Sequence, residues 1–192
     1  MAIARINDVL SVVKPLVVGD DVDERISNTP GVDSLVIADL SKLPFRDKTF
    51  DVVMSLMVVE HLDDPQACFA EFGLVCKNGV LVVLATPHLL HYGPLMTALT
   101  PFGFHKWFRR HVLGSRGESF STRYRANTPR KLAKMMKCAG FTTVEVRLID
   151  SEPAYLSWLN SLYAAGLVYH RLVNRFDKLS CFRATIIGVF RH

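Results

Sequence analysis

The run "GVLVVLATP" (79–87) constrains the fold more than any other stretch of these 192 residues. Its apolar side chains follow one another instead of alternating with polar ones, so the strand it forms must be covered on both faces. A strand covered on both faces belongs in a parallel sheet with helices above and below. The neighbouring pattern agrees. "LVVGDD" (16–21), "SLVIAD" (34–39) and "FDVVMS" (50–55) are short apolar runs that close on polar groups, and they read as strands. Between them the chain reads as helix. Ile3, Ile6, Val9, Leu10 and Val13 recur at helical spacing and stop before Pro15. "DPQACFAEFGLVC" (64–76) has Asp64 to cap it and Pro65 in its first turn. Strands alternating with helices predict an α/β domain with a mostly parallel sheet. Further on, "NTPRKLAKMMKCAGF" (127–141) predicts a helix with Thr128 as cap and Gly140 as stop. "TTVEVRLID" (142–150) alternates as an edge strand does, 152–176 reads as a long amphipathic helix, and "FRATIIGVFR" (182–191) closes the sheet. No linker or repeat divides the chain, so a single domain over 1–192 is expected, with 87–127 as a lid-like insertion.

Composition excludes several classes. The cysteines Cys68, Cys76, Cys138 and Cys181 stand far apart, with no CxxC pair and no His/Cys spacing suited to zinc. No metal site is expected, and a reducing, cytoplasmic setting follows. No run of about 18 apolar residues is present to span a bilayer. Asp8 interrupts the N-terminal apolar stretch, which makes it a poor secretory leader. The net charge of +5 is unevenly spread: residues 105–147 hold eleven Lys and Arg against two Glu, a local excess of +9. That asymmetry suits an anionic partner or an ordinary solvated helix face.

In open α/β sheets ligands bind beyond the carboxyl ends of the strands. Asp20/Asp21, Asp39-Leu40, Ser55 through His61 and Thr86-Pro87-His88 gather there. A carboxylate at a strand end can accept both hydrogens of a ribose diol, and an acid one strand further on can accept from an adenine amino group. Two such acids describe an adenosine site without a phosphate binder.

The segments "VVGDDVDERI", "VIADLSKLPFRDKTFDVVMSLMVVEHLDDP" and "KNGVLVVLATP", with "YRANTPRKLAKMMKCAGF" later, resemble the class I S-adenosylmethionine-dependent methyltransferases, in their broad small-molecule group. The likeness runs from about Leu16 to Phe190. It implies a Rossmann-like sheet, mostly parallel with an antiparallel C-terminal strand, and S-adenosylmethionine as cofactor. Carried onto this chain, Asp21 takes the place of the ribose acid, with Asp20 as the alternative. Asp39 and the Leu40 backbone lie beside adenine, and Ser55 and Leu56 follow the fourth family strand. One part of the pattern is missing. The family's first strand ends in a loop of the form E/D-x-G-x-G-x-G, and no such loop occurs here; the nearest pair, Gly114 and Gly117, lies elsewhere in the fold. Such a loop precedes the ribose acid by about 20 residues, and counting back from Asp21 reaches Met1. The expectation is therefore a sheet incomplete at its N-terminus. Three explanations stay open: a recorded start too far downstream, a truncated relative without activity, or a sheet completed by another chain.

Other residues carry two readings each. His61 can serve as general base, since histidine titrates near neutrality, or can open the following helix. Glu60 can face the sulfonium charge or cap that helix. His88, His91 and Tyr92 follow the fifth family strand, on the expected substrate side. "PHLLHYGPLMTALTPFGFHKWFRRHVL" (87–113) mixes aromatics with cations and suits a substrate lid or a peripheral membrane contact. Arg116, Arg123 and Arg125 are placed to hold an acidic substrate. The expected acceptor is a small molecule, amphiphilic or anionic. The alternatives are a non-catalytic methyltransferase-like binding protein and a nucleic-acid partner for the +9 region, although no specific nucleic-acid motif occurs.

Overall fold

The computed structural model describes residues 18–21, 33–91, 122–150 and 160–192. The sequence-predicted helix over 3–13, the first part of 152–176, and the segment 92–121 with Tyr92, Gly114, Arg116 and Gly117 lie outside the described residues.

The described chain forms β1 (Val18–Asp21), β2 (Ser34–Ile37), β3 (Phe50–Leu56), α1 (Pro65–Val75), β4 (Cys76–Pro87), α2 (Pro129–Cys138), β5 (Thr142–Ile149), α3 (Asn160–Arg175) and β6 (Thr185–Arg191). The strand at 79–87 is longer than its apolar run: it starts at Cys76, directly after α1. Helix starts follow the sequence closely. Asp64 Oδ1 accepts from the amides of Gln66 and Ala67, both at 3.1 Å, and Thr128 Oγ1 accepts from Lys131 N at 3.4 Å. Each side chain satisfies amides that the first helical turn leaves without partners. Helix α2 is followed by Ala139 and then Gly140, whose φ of +91° suits a residue without a Cβ.

The strands form two sheets. β1 pairs parallel with β2. The other four lie in the order β3-β4-β6-β5, with β3 and β4 parallel and β6 antiparallel to both its neighbours. This is the mostly parallel arrangement with an antiparallel C-terminal strand, and β5 is an edge as its alternation predicts. Among the described residues β1 and β3 do not pair. Among the described residues β3 has β4 as its sole ladder partner.

One core joins the four-stranded sheet to its helices. Val82 and Leu84 on β4, Ile186 and Phe190 on β6, Phe69 and Phe72 on α1, and Leu132 and Met136 on α2 are all buried. Gly188 sits where β6 crosses beneath α2. An added Cβ there would lie 2.5 Å from Phe190 Cε2, 2.9 Å from its Cζ and 3.5 Å from Leu132 Cδ2. Phe190 is fully buried, so its ring moves only with its neighbours. Gly188→Ala is expected to cost about 1–3 kcal/mol, read as a lower denaturant midpoint with an unchanged m-value.

Candidate functional site

In the four-stranded sheet the strand ends come together as the sheet rule requires. β6 is antiparallel, so its start lies at the same end as the carboxyl ends of β4 and β5. Thr185 pairs with both Pro87 and Ile149. Asp39 and Leu40 follow β2, Ser55 and Leu56 close β3, and His88 follows β4. Asp21 is the last residue of β1; its side chain lies outside the described residues.

Asp39 is exposed and held in place. Its Oδ1 accepts from Ser41 N and Ser41 Oγ, both at 2.8 Å. These bonds, the backbone one first, hold its carboxyl below the usual aspartate range, so it is anionic at neutral pH. No donor among the described residues reaches Oδ2, which leaves that oxygen for a ligand. The loop behind it is anchored: Leu43 N donates to Glu71 Oε2 at 2.9 Å, and Leu40 and Leu43 pack on the core. Ser55, at the end of β3, is buried at 6 % exposure, and its hydroxyl has no hydrogen-bond partner among the described residues. A buried hydroxyl left without a partner costs free energy, which a bound polar ligand would return. Met57, just beyond, takes a left-handed φ of +57° and donates its amide to Ala85 O at 2.7 Å. That backbone is strained for a side chain of this size, and such strain concentrates at ligand sites.

Glu60 lies deeper. It is 4 % exposed, and its Oε2 accepts from Thr86 Oγ1 at 2.9 Å. Thr86 Oγ1 in turn accepts from Asn127 Nδ2 at 2.7 Å, and the same Asn127 nitrogen donates to Pro87 O at 2.9 Å. The Glu60 carbonyl accepts from Arg123 N and Tyr124 N, at 2.7 and 3.1 Å. The network binds the segment before α2 across the ends of β3 and β4. Burial raises the Glu60 carboxyl above its ordinary range, against smaller lowering from its hydrogen bonds. His61 ends a single 3-10 turn (Val59–His61), and its Nε2 is 3.9 Å from Glu60 Oε1. Arg123 and Arg125 are turned to protein: both ion-pair with Asp63, Arg123 Nε at 2.9 Å, and Arg125 also donates to the Asp63 carbonyl. They are thus less available to a substrate than the sequence suggests.

His88 and His91 are buried with protein partners. His88 Nδ1 is 3.3 Å from Arg183 O, and His91 Nε2 is 3.8 Å from Asp150 Oδ1. Asp150 also accepts from Ala184 N and pairs with His170 Nδ1, each at 3.0 Å. Burial pushes both His88 and His91 below the ordinary histidine value, while Asp150 opposes the shift at His91. Folded protein therefore holds these rings neutral and the unfolded chain protonates them. Stability contributed this way is present above about pH 6.5 and is lost as pH falls. Thermal unfolding is expected to show that fall below about pH 6.5, with a shallower slope in His88→Asn. Asn127 and Asp150 escaped the sequence reading. Asp150 was findable, since it is an acid at a strand end like Asp39. Asn127 gives no signal, because "NTP" reads equally well as a helix start.

Comparison with known proteins bears on these same elements. Residues 17–84, which run from β1 to β4, match a family model described as a methyltransferase domain. A probable S-adenosylmethionine-dependent methyltransferase of Mycobacterium tuberculosis is 31 % identical over 101 residues, covering 50 % of this chain and 36 % of its own length. Cycloartenol-C-24-methyltransferase 1 of Oryza sativa is 38 % identical over 55 residues, covering 29 % of this chain and 16 % of its own length. The chain thus spans well under half the length of these curated relatives. A solved S-adenosylmethionine-dependent methyltransferase from Thermotoga maritima superposes with a TM-score of 0.60 at 16 % identity, over 98 % of this chain and 77 % of its own. The chain therefore has the Rossmann-like fold that the resemblance implies.

Proposed function

We propose that the chain binds S-adenosylmethionine at the ends of β1, β2 and β3 and transfers its methyl group to a small acceptor. One observation carries this reading. Among the described residues the anionic Asp39 has a carboxylate oxygen with no donor, and the Ser55 hydroxyl, buried at the end of β3, has no partner. Both suit the adenosyl part of the cofactor. In this reading Asp21, or Asp20 beside it, accepts from the ribose, Asp39 and the Leu40 amide meet adenine, and Ser55 and Leu56 lie where adenine and methionine contacts converge. The bound cofactor supplies a methyl group on a positive sulfonium. The chain's own part is to hold the acceptor in line at short distance, which lowers the barrier without covalent chemistry by the protein. In this reading His61 takes the proton where the acceptor must first lose one, and His88, His91 and Tyr92 are assigned to the acceptor. An amphiphilic or anionic acceptor agrees with the cationic, aromatic composition of 87–125 and with the cycloartenol in one relative's name.

A non-catalytic binding role is the second reading. The division of the described strands into two sheets favours it. Thermal shift separates the two. S-adenosylmethionine and S-adenosylhomocysteine should both raise Tm, by an amount that grows with concentration, and ATP should not. A Tm indifferent to all three supports the non-catalytic role.

A further inference from the structure

We propose that the outer face of α3, with the turn that follows it, docks on an anionic lipid bilayer. Val168, Leu172 and Phe176 recur every four residues and are 57, 47 and 50 % exposed, and Phe182 nearby is 45 % exposed. Positions four apart lie one above another on a helix, so these side chains form a single apolar stripe. The inner face fixes the rotation that turns this stripe outward. Val173 is buried there, Tyr169 Oη donates to Phe182 O at 2.6 Å, and His170 pairs with the buried Asp150.

Charge decides the occupant. Arg171 and Arg175 flank the stripe and are exposed, as is Lys178 in the following turn. Helix α3 contains no Asp or Glu, and the one acid in 160–184, Asp177, is held 3.3 Å from Arg183. A second copy of the chain would set these arginines against their equivalents with no carboxylate on either helix to pair them. A bilayer with anionic headgroups offers what the stripe matches: an apolar layer for Leu172 and Phe176, edged by phosphates for the cations. The inference does not rest on methyl transfer.

Sedimentation with vesicles tests it. The intact chain should bind phosphatidylcholine–phosphatidylglycerol vesicles, bind phosphatidylcholine vesicles far less, and release in high salt. Arg171→Glu with Arg175→Glu should weaken binding by at least about tenfold, and Leu172→Ser with Phe176→Ser should weaken it as well. All four positions are exposed, and unchanged thermal unfolding would confirm that the variants fold; Lys178→Glu is a milder charge change should one of them not. Failure to sediment with the anionic vesicles overturns the proposal, as does equal binding by intact chain and both variants. So does a dimer in ultracentrifugation that the serine variant dissociates while vesicle binding is unaffected, which would assign the stripe to a second copy.

Discussion

Glu60→Ala is expected to destabilise the chain by about 2 kcal/mol, while Glu60→Gln leaves stability unchanged or raises it at neutral pH. The alanine removes the acceptor that the fully buried Thr86 hydroxyl has among the described residues, and leaves a void beneath the segment that Glu60 ties down. A glutamine keeps an oxygen for Thr86 and drops the charge that burial disfavours. The pH sign follows from the raised carboxyl. The folded state holds its proton to higher pH than the unfolded state, so this group's contribution falls as pH rises above its ordinary value near 4.5. Glu60→Gln should remove that component. Only the decline below about pH 6.5, from the buried histidines, would then remain. Thermal unfolding of the three proteins across pH 5–8 measures both effects, with the alanine lowest throughout. Equal stability of alanine and glutamine variants would mean that the Glu60–Thr86–Asn127 chain adds nothing.

Elements with strong local signals were legible in the sequence. The apolar run at 79–87 gave a buried strand, and Asp64 and Thr128 marked both helix starts, because capping and unbroken apolarity act within a few residues. The acids at the strand ends were legible as well, since Asp21 closes β1 and Asp39 follows β2. What stayed hidden depends on contacts between distant segments. Asn127 meets Thr86 across 41 residues of chain, and Arg123 and Arg125 meet Asp63 across about 60. Nothing in the local pattern of "TRYRANTP" distinguishes an arginine paired in the fold from one left for a substrate. The start of β4 was misjudged for another reason. Cys76, Lys77 and Asn78 break the apolar run, yet pairing with β3 begins at Cys76, opposite Phe50; ladder pairing overrides weak local propensity.

Loss of cofactor affinity on removing Asp39 is the second large effect. A charge-assisted hydrogen bond contributes roughly 1.5–3 kcal/mol, so Asp39→Ala should weaken binding of S-adenosylmethionine about tenfold to a hundredfold. The fold should be untouched, since Asp39 is exposed and among the described residues its side chain bonds only to Ser41. Asp39→Asn, which keeps one acceptor oxygen, should fall between the two.

Calorimetric titration of S-adenosylmethionine into the purified chain, with Asp39→Ala alongside, tests the adenosyl site most directly. The account predicts saturable one-site binding that weakens at least tenfold in the variant. Absence of binding by a chain shown by circular dichroism to be folded, or equal affinity in the two proteins, would contradict it.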